Sequence, residues 1–200
     1  MVSVHPGQLE LLEAMRDFTL SHRHGDVARF APAMRDWGDA WIDVAPVLFP
    51  AAERLAQIVQ RDDSHPLLRV FARHYRELRW EQSYTRAQKL VPDSMLDGYC
   101  FSEIIGKQGP FVSDRVRAGI SILGPRIEYP RHHHQAEEIY AVLAGSADFR
   151  VGDEAPAARH SGDVVYVAPN RPHGFETGDD ILVIYYLWQA GDLRETSTFA

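Results

Sequence analysis

Beyond residue 95 the apolar residues leave helical spacing and alternate every second position, with turn signals about every eight to twelve residues. Side chains two apart share one face of a strand but not of a helix, so this half of the chain can bury its apolar residues only in sheets. The stretches YCFSEII, VRAGISIL, IEYPRHHH, EEIYAVLA, ADFRV, DVVYVA, HGFET and ILVIYYLW predict strands, separated by GKQGP, LGP, AGS, VGDE, APNRP and TGDD. Many short, evenly spaced strands predict a mainly β fold, an antiparallel sandwich or barrel over residues 96–200.

Residues 1–95 read differently and predict a helical region packed on that barrel. Leu11, Met15 and Phe18, with Leu12 alongside, mark a first helix entered after Pro6 and stopped by Gly25. Pro50 opens a second stretch, AAERLAQIVQ. A third, long helix is expected over residues 64–84, with Ser64 as N-cap and Pro66 in its first turn. Leu67, Phe71, His74, Leu78 and Glu81 would then share one face. Met15, Phe18, Trp37 and Trp41 are expected in the core, and Asp62–Asp63 at a helix end.

Composition removes several function classes. With 45% hydrophobic and 24% charged residues the chain reads as an ordinary globular protein. A net charge of −7 argues against a general binder of nucleic-acid backbones, and −1 on residues 1–95 is too acidic for a DNA-reading helical half. The single cysteine, Cys100, forbids an intrachain disulfide and suits a reducing compartment. The longest apolar run, ILVIYYLW, is far short of the ~20 residues of a membrane helix, and MVSVHPGQLE lacks a signal-peptide layout. A soluble cytoplasmic protein is expected, monomer or homodimer, with a small-molecule partner and neither nucleic acid nor membrane.

Three of the ten histidines stand side by side in HHHQAEEIY, residues 132–140. Alternation sends His132 and His134 to one face and His133 to the other. After the QAE turn, Glu138 and Tyr140 share a face of the next strand. If that face is the barrel interior, two imidazoles, a carboxylate and a phenol converge there, and His173 arrives from a second hairpin. Imidazole and carboxylate are the usual ligands of Zn, Fe, Mn, Co or Ni, so one divalent ion is expected. A solvated turn would explain any one histidine but not this whole arrangement.

The spacing resembles the two cupin motifs. His132, His134, Glu138 and Gly145 match the first in register, and Gly162, Pro169 and His173 match the second, with Gly162 eleven residues before His173. Three turn positions depart: the leading Gly is displaced to Gly124, Arg171 replaces a Gly, and Thr177 stands where Asn is common. The implied fold is a cupin barrel of the double-stranded β-helix, or jelly-roll, type. Tyr129, Tyr140 and Trp188, together with LRWEQSYT, YPRHHHQAEEIY and YYLWQAGDL, are similar to the bacterial cupin-type dimethylsulfoniopropionate (DMSP) lyases of the DddQ group.

That resemblance implies a metal-dependent carbon–sulfur lyase that eliminates dimethyl sulfide from DMSP and leaves acrylate. It also implies that His134, Glu138 and His173 hold the metal, with His132 a further ligand, a donor behind the ligands or a contact to the substrate. The general base would be Tyr140, whose phenolate the ion would favour, or Tyr129 on the incoming strand. A sulfonium suits an aromatic face; Trp188 is the first candidate, and Tyr185, Tyr186, Trp80 and Tyr84 are weaker ones. The segment 78–85 would help cover the barrel mouth. Rival readings are a cupin dioxygenase, another metal-dependent cupin acting on a small carboxylate such as a sugar acid, and a non-catalytic ligand-binding cupin.

Overall fold

The computed structural model describes residues 4–35, 40–60, 64–195 and 197–200. Trp37 and the Asp62–Asp63 pair lie outside the described residues. Among the described residues six α-helices precede the strands: α1 (Pro6–Ser21), α2 (Gly25–Ala28), α3 (Ala31–Arg35), α4 (Leu55–Ile58), α5 (Pro66–His74) and α6 (Asp93–Gly98). Eleven strands follow: β1 (Tyr99–Gly106), β2 (Phe111–Val112), β3 (Val116–Leu123), β4 (Glu128–His133), β5 (Glu137–Ala144), β6 (Ser146–Val151), β7 (Ala157–His160), β8 (Val164–Val167), β9 (His173–Thr177), β10 (Leu182–Gln189) and β11 (Thr198–Phe199). Among the described residues no helix is long and apolar enough to cross a membrane.

The strands form two facing sheets, ordered β2-β1-β3-β10-β5-β8 and β11-β4-β9-β6-β7. The first sheet is buried on both faces, which explains the unbroken apolar run of β10. Val183, Tyr185 and Leu187 turn outward into a core shared with the helices, beside Leu11, Met15 and Phe71. Ile184, Tyr186 and Trp188 turn inward to the core between the sheets, with Tyr140, Phe149 and Phe175. One side of this sheet therefore carries the helical layer and the other faces the barrel interior.

The helical half departs from expectation in places. Pro6 does open α1, but the helix ends at Ser21, and Gly25 begins α2 instead of stopping α1. The long helix expected over 64–84 ends as α-helix at His74, followed by a 3-10 turn over Tyr75–Glu77. Beyond it the chain is extended: Trp80 N donates to Val47 O, and Glu81 exchanges hydrogen bonds with Phe101 of β1. The buried Trp80 indole donates to Tyr75 O at 2.7 Å, so tertiary packing overrides helix propensity here. The N-cap of α5 is His65, whose Nδ1 accepts from Leu67 N, and not Ser64. Trp41, expected in the core, packs partly buried against it and donates from Nε1 to Gln8.

Candidate metal centre

Strand register assembles the site. On the inner face of the first sheet, Arg117, Trp188 and Glu138 lie side by side across β3, β10 and β5, and Gly119, Tyr186 and Tyr140 form the next row. The facing sheet brings His132 of β4 opposite His173 of β9, their ring centroids 4.2 Å apart. His134 follows β4 directly and is buried, whereas His133 points out of the site, half-buried and paired in register with Thr198 of β11.

The three buried histidines are oriented identically at their first nitrogen. Nδ1 lies 2.9 Å from a main-chain carbonyl in each case: Pro130 O for His132, Ala136 O for His134, Arg171 O for His173. A carbonyl can only accept, so Nδ1 carries the hydrogen and Nε2 presents a lone pair inward, the arrangement that suits a metal ligand. The three histidines can each offer a ligand atom within 4.8 Å of the others. Glu138 Oε2 lies 2.9 Å from His134 Nε2 and 3.3 Å from His173 Nε2.

Lone pairs at such distances repel unless a cation sits among them. Atoms bound to one ion through bonds of about 2.1 Å stand about 3.0–3.4 Å apart, so the separations fit a shared divalent ion. Burial and the neighbouring His173 push the His132 imidazole down to about 3, leaving it neutral and competent as a ligand. Burial alone would raise the Glu138 carboxyl; a hydrogen or positive charge between it and the imidazoles of His134 and His173 is what holds it well below the usual carboxylate range. This cluster can hold a metal ion.

Both candidate bases are present. Tyr140 Oη is 3.2 Å from His173 Nε2, and burial, followed by the Glu138 charge, raises its phenol well above the ordinary range. Tyr129, raised chiefly by burial and then by Tyr99, lies with its hydroxyl 3.5 Å from that of Tyr99, which is 3.1 Å from Ser83 Oγ. A cavity of about 230 Å³ opens over the centre, lined by Tyr129, His132, Glu138, Tyr140, Trp188 and, from the segment after α5, Glu81–Tyr84.

The aromatic candidates divide. Trp188 lines the cavity, but its ring stacks on His134 at a centroid distance of 3.9 Å, and the Arg117 guanidinium lies 5.0 Å from its centroid. A substrate cation at Trp188 would have to compete with Arg117. Tyr185 is not at the site: it faces the helices, with its hydroxyl 3.1 Å from Thr19 Oγ1. Trp80 is likewise absent from the cavity wall, while Tyr84 and Tyr186 belong to it. Alternation separates Tyr185 from Tyr186, since only the latter shares the face of Trp188. Sequence reasoning missed Arg117, Tyr99 and Glu103; no local motif marks them.

Two facing sheets with a buried His-x-His, a glutamate on the next strand and a histidine on β9 define a cupin. Within that class the chain belongs to the dimethylsulfoniopropionate lyase family, which matches residues 34–184. It is 36% identical over 115 residues to the dimethylsulfoniopropionate lyase DddQ of Ruegeria pomeroyi, covering 58% of this chain and 56% of that protein. It is 28% identical over 158 residues to DddL of Cereibacter sphaeroides, covering 76% of this chain and 64% of that protein. The matches thus span somewhat over half the length of these curated relatives. The crystal structure of DddQ from Ruegeria pomeroyi superposes with a TM-score of 0.81 at 26% identity, covering 98% of both chains.

Proposed function

We propose that this chain cleaves dimethylsulfoniopropionate by β-elimination, releasing dimethyl sulfide and acrylate. The observation that carries the reading is a phenol at the ligand cluster: Tyr140 Oη stands 3.2 Å from His173 Nε2 in a chain of the DMSP lyase family. His134, Glu138, His173 and His132 would hold one divalent ion, and the donor set accepts Zn, Fe, Mn, Co or Ni. When bound, the ion supplies a Lewis acid for the substrate carboxylate and a positive charge that favours the Tyr140 phenolate.

The protein's own residues do the remaining work. Tyr140 Oη takes the proton from the carbon beside the carboxylate. The electron pair left behind forms the carbon–carbon double bond as the carbon–sulfur bond breaks, and neutral dimethyl sulfide departs. The proton on Tyr140 then passes to water, so one DMSP yields acrylate, dimethyl sulfide and a proton. Tyr129 is the competing base; its hydroxyl contact with Tyr99 suits it better to orienting the substrate.

Headspace gas chromatography of purified, metal-loaded protein with DMSP tests the reading. Dimethyl sulfide should form at equal rates with and without oxygen, because elimination consumes none. Absence of dimethyl sulfide would refute the proposal, and a strict need for oxygen would favour a cupin dioxygenase.

A further inference from the structure

The wall beside Tyr140 carries a buried phenol with no partner. Tyr186 is 6% exposed, and its hydroxyl makes no hydrogen bond to any described residue. It stands next to Tyr140 in register, and its oxygen leans over Gly119 of β3, 2.8 Å from where a Cβ would lie. A side chain at Gly119 would also run into Ser102 O at 2.0 Å, so the glycine leaves the space in which this hydroxyl sits. Buried hydroxyls are rarely left unpaired. One in a cavity wall can find its acceptor in whatever fills the cavity.

The adjoining residue on the same face of β3 is Arg117. Glu103 Oε2 accepts from its Nε at 2.5 Å and fixes the guanidinium in the wall. The other Glu103 oxygen is taken by the main-chain N–H groups of Gln108 and Gly109, so the carboxylate is satisfied within the wall. Tyr186 therefore presents an O–H donor to one side of the cavity, next to a guanidinium that Glu103 holds in place and whose charge Glu103 balances. A sulfonium offers no hydrogen-bond acceptor for the Tyr186 hydroxyl. A carboxylate offers one.

We propose that the Tyr186 hydroxyl donates a hydrogen bond to the substrate carboxylate and, with Arg117 beside it, sets which end of the zwitterion faces β3 and β10. The onium end is thereby directed away from them, toward the rings of Tyr84 and of Tyr129 on the facing sheet. The identity of the zwitterion rests on the lyase reading above; the selection of an anion at Tyr186 does not.

Tyr186→Phe keeps the ring and its edge contact with Phe101 and removes only the hydroxyl. Propionate, which has only the anionic end, and trimethylsulfonium, which has only the cationic end, are titrated calorimetrically into metal-loaded wild type and variant. Metal content and melting temperature are measured in both proteins. Propionate binding should weaken about ten- to hundredfold, the weight of a hydrogen bond to a charged group, and trimethylsulfonium binding should not change. Unchanged propionate affinity in a folded, metal-replete variant overturns the proposal, as does equal weakening of both probes or a wild type that binds no propionate. Selective loss of propionate binding in a protein that releases no dimethyl sulfide from DMSP would sink the lyase reading and leave the carboxylate site standing.

Discussion

Replacing Tyr140 with Phe separates chemistry from packing at the proposed base. The ring's contacts survive, with Phe149 and Phe175 centroids 5.7 and 6.0 Å away, and the hydrogen bond lost is the 3.2 Å contact to His173 Nε2. One ordinary hydrogen bond contributes about 0.5–1.5 kcal/mol, so the melting temperature should move by no more than a few degrees. Loss of a general base costs about 10²–10⁴ in rate, or about 2.7–5.4 kcal/mol of barrier. The expected outcome is a folded protein whose dimethyl sulfide release has collapsed. Metal content is measured in parallel by elemental analysis, since Tyr140 adjoins the ligands and could act through ion retention. Tyr129→Phe should lose less. A metal-replete Tyr140→Phe enzyme with near-normal turnover, beside a dead and metal-replete Tyr129→Phe, would refute the reasoning and make Tyr129 the base.

Three further outcomes are expected. His134→Ala should abolish or greatly weaken metal retention, while His133→Ala leaves it intact; equal loss in both would contradict the register of β4. Trp188→Ala should lower both thermal stability and metal affinity, because the indole stacks on His134 at 3.9 Å. Truncating a buried Trp costs about 3–5 kcal/mol, and Trp188→Phe should recover part of both losses in melting and metal-titration experiments. Glu137, on the outward face of β5, accepts from Arg29, Tyr166 and Gln189; burial would raise its carboxyl, but these partners hold it below the ordinary value. A depressed folded pKa contributes stability above the unfolded value of about 4.3 and loses it as pH falls through the folded one. The melting-temperature gap between wild type and Glu137→Gln should therefore be widest above about pH 5 and close under more acid conditions; a gap independent of pH would contradict the ion pair.

The candidate metal cluster was legible because all of it but His173 is local. His132, His134, Glu138 and Tyr140 lie within nine residues, and strand alternation alone turns them to one side. Eight strands were legible for the same reason, while β2 and β11, of two residues each, are too short to carry a period, and β7 (AARH) has no large apolar residue to mark one. The helix expected over 64–84 failed where Trp80 and Glu81 pair with distant Val47 and Phe101, contacts that no helical period reports. Tyr185 was a different kind of miss: the alternation that separates His133 from His134 also separates Tyr185 from Trp188, and applying it to β10 would have excluded Tyr185 and favoured Tyr186.

The far wall of the cavity lies beyond any such local rule. Arg117, Tyr186 and Tyr140 become neighbours only because β10 inserts between β3 and β5, pairing residues about 70 and 45 positions apart in the chain. Nothing near Arg117 in VRAGISIL marks it as more than an edge charge on a strand. Yet the row it begins, through Trp188 to Glu138, runs from a fixed cation in the wall to the candidate metal ligands. The histidines account for where an ion can sit; the register of three strands decides what charge a substrate meets on its way there. Specificity within this family should therefore vary at the inward positions of β3 and β10 while the His-x-His turn stays the same. Exchanging residues 117 and 186 should change which small carboxylates bind without changing how the ion is held.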